Sequence, residues 1–258
     1  MKSAWMNFSK YRFLLGELVK KEIKLKYRRS YLGIFWTLLE PILTTAVLAF
    51  VFGFVLGKSD PQFPVYILTG RLLYTFFANS TKAAMKSIRS NSAMIKKVYV
   101  PKYIYPFSTV LSNYVIFLIS LIVLFFAAII FKVMPTIYLL NIVLPMFFLL
   151  VLALGVGMIL ATMAVFFRDL EYLWSVALMI IMYLSAIFYK VDILKLGDRE
   201  WLLHLNPLYV IIDNFRSAVF GAPLDHLSLL LSAVYSFGTL LIGIIMFYRK
   251  QDKFILNI

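Results

Sequence analysis

The chain has 258 residues, 62% of them hydrophobic and only 15% charged, with a formal net charge of +14. Soluble domains carry roughly 25% charged residues, so this composition excludes an ordinary soluble fold. The absence of cysteine excludes disulfides, thiolate metal sites and cysteine nucleophiles, and the two histidines, His204 and His226, stand too far apart for a metal-binding spacing.

The chain opens on a polar, basic arm without an apolar core, so no cleavable signal peptide is expected. Within it, Phe8–Tyr31 predicts an amphipathic helix. Tyr11, Leu14, Leu15, Leu18, Val19 and Ile23 form one apolar stripe, and Lys20, Lys24 and Arg28 share another face. Glu17–Lys21 and Glu22–Lys26 are spaced for i, i+4 ion pairs. Such a helix lies in the membrane interface, either as an anchor alone or with Arg28 and Arg29 receiving an anionic lipid headgroup.

Six apolar runs follow, at Leu32–Leu56, Phe63–Ala78, Phe107–Phe131, Leu139–Phe167, Leu173–Tyr189 and Leu227–Tyr248. An α-helix needs about 20 residues to cross a hydrocarbon core of ~30 Å, and unpaired backbone amides are not tolerated in lipid. The expected fold is an all-α polytopic membrane protein with six transmembrane helices. Polar helical turns complete the shorter second and fifth. Within the first run, Glu40 precedes Pro41 as a carboxylate beside a helix kink, structural or pathway-lining. The run ends in Gly53-Phe-Val-Leu-Gly57-Lys58-Ser59, which is one residue short of a nucleotide-binding P-loop because Phe52 stands where a glycine is needed. In the second run, Arg71 places a charge inside the span, facing a cavity or partner or reaching the outer headgroups.

Between the second and third runs, Lys82–Lys102 is long for a link. Asn91 or Ser92 can cap a short helix there, and Pro101 limits its far end. Exposed Met94, Ile95, Val98 and Tyr99 beside Lys96 and Lys97 would make a docking knob for a soluble partner; the plainer reading is a solvated basic loop. Residues 190–226 hold an apolar stretch, Trp201–Phe220, interrupted by Asn206-Pro207, Asp213 and Arg216. Proline breaks a helix, so an outer re-entrant pair of half-helices is expected in place of a seventh span.

Apart from Lys58, Arg71, Lys132, Lys190, Lys195, Arg199 and Arg216, every basic residue falls in the N-terminal arm, the segment after run two, the loop after run four or the tail. Lys and Arg are retained on the cytoplasmic side, which places both termini there. The positive charge then reflects topology and attraction to anionic lipid, and no nucleic acid is expected as a partner. An intramembrane transferase would need clustered carboxylates or histidines at one depth, and only Glu40 lies well inside a span.

The blocks together resemble a known family. Glu22-Ile-Lys-Leu-Lys-Tyr-Arg-Arg-Ser-Tyr-Leu-Gly33-Ile-Phe-Trp36, with Pro41 after it, is similar to the opening of ABC-transporter permeases that export polysaccharides, the O-antigen and teichoic acid exporter type. Asn91-Ser-Ala-Met-Ile-Lys-Lys-Val-Tyr-Val-Pro101 resembles their coupling segment, and Ala164-Val-Phe-Phe-Arg168-Asp169-Leu-Glu-Tyr their loop after span four. Leu205-Asn206-Pro207-Leu208-Tyr209 with Phe215-Arg216 resembles their outer hairpin. Arg71 departs from the family pattern, where an apolar residue is usual.

The resemblance implies a homodimeric permease of the bacterial cytoplasmic membrane without catalytic or metal-binding residues of its own. ATP and magnesium would be bound by two separate nucleotide-binding ATPase subunits docked at Asn91–Tyr103. The cargo would be a glycan or teichoic acid attached to a polyprenyl-diphosphate lipid, and spans one and five would wall the conduit, with Phe188 and Tyr189 near its outer mouth. A permease of the same fold exporting a drug, peptide or simple lipid is the alternative. The expected organisation is one permease domain over 1–258: interfacial helix 1–31, spans one to five over 32–189 with coupling segment 87–104, outer hairpin 190–226, and span six with the tail over 227–258.

Overall fold

The computed structural model describes residues 2–28, 30–56, 60–97, 100–191 and 201–254, with side chains outside 2–10 and 52–56. Among these residues the chain is all helical, with no strand. The α-helices are α1 (Lys2–Tyr27), α2 (Trp36–Leu56), α3 (Phe63–Ser90), α4 (Ser92–Lys97), α5 (Ile104–Ile130), α6 (Val143–Phe166), α7 (Leu170–Leu184), α8 (Trp201–His204), α9 (Pro207–Phe220) and α10 (His226–Lys250). Among the described residues, four helical stretches are long and apolar enough to cross a membrane: Gly33–Val51, Ile104–Ile130, Ile137–Phe166 and His226–Lys253. The two shorter expected spans correspond to α3 and α7. α3 reaches its 28 residues by carrying Lys82, Lys86 and Arg89 in its last third. The expected coupling segment therefore begins inside this helix and not in a loop.

α1 lays its apolar stripe against α5, with Leu18 buried and Lys20, Lys24 and Arg28 exposed. The expected i, i+4 ion pairs do not form. Lys20 Nζ pairs with Glu17 at 2.9 Å, Glu22 accepts from Ser112 Oγ at 3.1 Å, and Lys26 Nζ donates to Asn113 Oδ1 at 3.4 Å. A surface pair on one helix contributes only ~0.2–0.5 kcal/mol, and the α5 polar groups lie where both side chains are already half-withdrawn from water. Burial pushes the Glu22 carboxyl up and the Lys26 ammonium down from their ordinary values.

α6 and α10 form the tightest crossing. A Cβ on Gly155 would stand 2.4 Å from the Leu240 backbone nitrogen, and one on Gly243 would stand 2.6 Å from the Gly155 carbonyl oxygen. Only glycine permits this approach, the close packing that small residues allow between membrane helices. The shared core fills the space between α3, α5, α6 and α9 with Leu68, Leu73, Phe76, Leu149, Leu152, Ile211 and Phe215.

The fifth apolar run does not stay helical to Tyr189. α7 stops at Leu184, and Ala186 takes a left-handed conformation at φ 47°, which an L residue adopts only when its surroundings hold it there. Here Tyr66 Oη donates to the carbonyls of Ala186 (3.3 Å) and Tyr189 (3.0 Å), and Arg216 Nη1 donates to Ala186 O at 3.0 Å. Those carbonyls are taken by α3 and α9 and not by the next helical turn.

Pro207 separates α8 from α9, as expected of the hairpin. It sits in the first turn of α9, where its missing N–H costs nothing. Asn206 Oδ1 accepts from Leu208 N at 3.0 Å, capping the helix, and Gly221 at φ 79° ends it. α9 packs against α3, α6 and α10.

Candidate functional site

One face of α3 carries a polar stripe through an otherwise apolar bundle. Arg71, Thr75, Asn79, Lys82, Lys86 and Ser90 recur at steps of four and three residues, which keeps them within ~100° of one another on a helix that turns about 100° per residue. From Arg71 to Ser90 the stripe is roughly 28 Å long at 1.5 Å per residue. Leu73, Phe77 and Ala84, off the stripe, are buried.

Three cavities open along this stripe and share residues where they meet. The first, at the Ser90 end, has about 670 Å³ between α1, α3 and α5, with Lys21, Glu22, Lys26, Lys82, Lys86 and Asn91 on its walls. A second, of about 490 Å³, shares Lys26, Asn79, Asn113 and Ile116 with it and adds Thr37, Glu40, Pro41 and Thr44 from α2. A third, of about 520 Å³, shares Thr44 and Arg71 with the second and reaches Met182, Tyr183 and Phe188. Thr37, Glu40, Pro41 and Thr44 lie at 0, 3, 4 and 7, and so do Asn113, Ile116, Phe117 and Ser120 of α5. Each helix thus presents a single face. The result is one groove along a single protomer, with Lys21, Lys26, Arg71, Lys82 and Lys86 facing Glu22 and Glu40.

The expected conduit residues divide accordingly. Glu40 and Arg71 line the same cavity, and among the described residues no ion pair within 4.0 Å joins them. Phe188 is buried at the far end of the groove, its ring edge-on to Tyr183 at 6.2 Å. Tyr189 is outside all three cavities, its hydroxyl donating to Tyr183 O at 2.7 Å. Asn206 and Pro207 are also outside the groove: Asn206 Nδ2 donates to Ser185 Oγ at 2.9 Å and ties the hairpin to the end of α7. α2 and α7 do contribute walls, as expected of spans one and five, but the longest wall is α3. Its signal was present in the three- and four-residue spacing from Arg71 to Ser90, which reading Lys82–Lys102 as a separate segment concealed.

Arg216 is the residue whose role the sequence reading missed, having marked it as an interruption of the apolar stretch and as part of the hairpin resemblance without a partner. It is buried, with its guanidinium carbon 3.5 Å from the centre of the Tyr66 ring, Nη1 donating to Ala186 O and Nη2 donating to Tyr66 O at 3.2 Å. A charge at this position in an apolar helix was itself a sign of a dedicated partner.

At the other end of α3, Asn91 Nδ2 donates to Ser87 O, and α4 presents Met94, Lys96 and Lys97 outward. Ile95 contradicts the expectation of exposure. It is buried with Ile88, Tyr105, Met158, Phe247 and Phe254, because the chain after α10 folds back beneath α4. Lys102 Nζ fixes that tail by donating to Gln251 O at 2.6 Å. Pro101 is half-buried. Arg28 is exposed at the end of α1, where Lys26 enters the groove. Arg29, Val98, Tyr99, Gly57 to Ser59, and Lys195 and Arg199 lie outside the described residues.

The ABC-2 type transporter family matches residues 14–220. The chain is 27% identical over 244 residues to an O-antigen export system permease protein of Klebsiella pneumoniae, with 93% of each chain covered. It is 23% identical over 246 residues to a polysialic acid transport protein of Escherichia coli, covering 91% of this chain and 92% of that one. A capsule polysaccharide export inner-membrane protein of Neisseria meningitidis serogroup B is 24% identical over 229 residues, with 85% and 84% covered. With the family's match extending from α1 through α9, the chain belongs to the ABC-2 type transporter family.

Proposed function

We propose that the chain is the membrane subunit of an ATP-driven exporter that moves a lipid-linked polysaccharide or teichoic acid across the bacterial cytoplasmic membrane. Two copies pair, and two separate ATPase subunits bind ATP and magnesium. The observation that carries this reading is similarity over 93% of the chain to O-antigen export permeases. The groove supports a cargo both polar and long: hydroxyl, amide and charged groups follow one another for roughly 28 Å on a bundle that otherwise offers lipid-like side chains.

In this reading α2, α3, α5, α6, α7 and α10 cross the membrane, and both termini are cytoplasmic. α7 has 15 residues and, at ~1.5 Å each, is shorter than the hydrocarbon core; the turn at Ser185–Tyr189, held by Tyr66 and Arg216, completes its crossing against protein. α8 and α9 enter from outside and return. α1 lies in the cytoplasmic interface, where Arg28 and Arg29 meet the diphosphate of the carrier lipid, arginine forks matching phosphate oxygens. Met94, Lys96, Lys97 and Tyr99 face the ATPase. Ile95 passes its push to Phe254 and α10, since the three pack in one cluster.

Removing the gene from its host tests this. The polymer should disappear from the cell surface and accumulate on the cytoplasmic side, still joined to its lipid, and the full-length chain should restore it. A mutant with normal surface polymer would refute the export role.

A further inference from the structure

Among the described residues, Arg71 and Arg216 lie within the bundle, and their surroundings are opposite. Arg216 is consumed by the Tyr66 ring and the carbonyls of Tyr66 and Ala186. Arg71 stands where the second and third cavities meet, lining both. Its Nη1 makes a weak contact to Met182 Sδ at 3.9 Å, and no carboxylate lies within 4.0 Å of it among the described residues. The titratable groups that share its cavities are Lys26, Tyr27 and Glu40 on one side and Tyr183 on the other.

Arg71 lies well inside α3, away from its N-terminal end and from the lysines of its last third. It is eight residues into α3 and eleven before Lys82, about 12 Å and 16 Å along the axis. A guanidinium inside the helix, with an open cavity on both sides, faces whatever passes. We propose that Arg71 is a stepping site for carboxylate or phosphate groups borne on the glycan itself, so that the cargo is an acidic polysaccharide; this rests on the export reading above. The planar fork accepts either anion in a bidentate manner. Glu40, in the same cavity but out of ion-pair range, weakens retention, and a conducting site must release as readily as it binds. The carrier diphosphate is assigned above to Arg28 and Arg29, and not to this site.

The chain has no cysteine, so a single Thr75→Cys reports on the cavity one helical turn from Arg71. The full-length permease in lipid nanodiscs is labelled with an anionic and a cationic methanethiosulfonate of similar size. With Arg71 present the anionic reagent should be favoured. Arg71→Gln should lower the anionic-to-cationic rate ratio at least about ten-fold, the Coulomb effect of one charge at this range, and Arg71→Lys should keep most of the preference. Oligogalacturonate should slow labelling in the Arg71 protein and not in Arg71→Gln, and neutral dextran oligomers should do nothing in either. An unchanged ratio in Arg71→Gln, or equal protection by dextran, overturns the proposal. Protection by sodium diphosphate without protection by oligogalacturonate also overturns it and assigns the site to the carrier. Labelling needs no transport, so failure of the export reading would show in the gene-removal experiment and not here.

Discussion

Replacing Arg216 with methionine removes the charge while keeping a long side chain, and the structure sets the size of the effect. The strongest interactions lost are a charged hydrogen bond to Ala186 O at 3.0 Å, a second to Tyr66 O at 3.2 Å, and the stacking of the guanidinium on the Tyr66 ring at 3.5 Å, with longer contacts to Thr69 Oγ1 at 3.4 Å and Ile187 O at 3.5 Å adding little. A hydrogen bond to a charged group contributes about 1.5–3 kcal/mol and a desolvated cation–π contact about 2 kcal/mol, roughly 5–8 kcal/mol gross. Several kcal/mol of that is returned because no charge need be buried, leaving a net loss of about 2–4 kcal/mol. At ~2–4 °C per kcal/mol for a chain of this size, the melting temperature should fall by about 10 °C, read by fluorescence-detected size exclusion of heated samples in detergent. The strained turn at Ala186 loses one of its holders, so proteolysis near Ser185–Tyr189 should rise with it. Gly70→Ala should act in the same direction, since its Cβ would stand 2.7 Å from Arg216 Nη2. An Arg216→Met protein that melts with the wild type would refute the account of this residue as the tie between α3, α7 and α9.

Met94→Glu should lower ATPase stimulation and co-purification of the partner with little change in melting, whereas Ile95→Glu should destabilise the permease itself by about 3 kcal/mol, as burial of an unpaired polar group does; equal behaviour of the two would contradict the division between surface and core. Gly155→Ala should cost about 1–3 kcal/mol by forcing α6 and α10 apart, because the obstructing atoms are backbone, and a thermal melt reads it. Asp60 is held below the ordinary carboxylate range, first by the hydrogen bond from Lys190 Nζ at 2.6 Å and then by that from the Gln62 amide. A depressed folded value means that the link's contribution is complete above the unfolded value near 4 and is lost as the pH falls through the lower folded one. Both partners are partly exposed, so the loss is no more than about 1 kcal/mol. Comparison of the wild type with Asp60→Asn should show a gap in melting temperature at pH 6 that closes below pH 4.

Helix content was legible because apolar runs of span length admit one backbone solution. The ends of these helices were not. The stop at Leu184 depends on Tyr66 and Arg216, far away in sequence, and α3 extends past Ala78 because Ser80, Thr81, Ala84, Met85 and Ile88 bury a face against neighbouring helices. The groove was half legible. Glu40 and Arg71 stood out as charges in apolar runs, but their sharing of one cavity depends on how α2 leans on α3 and α5. Ile95 shows the opposite limit: its neighbours on α4 are exposed lysines, and only the returning tail at Phe254 makes it core.

Reconstitution tests the central claim most directly. The full-length chain, purified with the ATPase subunit that accompanies it, is placed in proteoliposomes with lipid-linked polysaccharide on the face where ATP is supplied. The account predicts that polymer moves to the protected lumen only with hydrolysable ATP, and that Met94→Glu abolishes the movement while the protein remains inserted. Polymer that stays on the ATP side while the ATPase turns over, or that crosses equally without ATP, would contradict it.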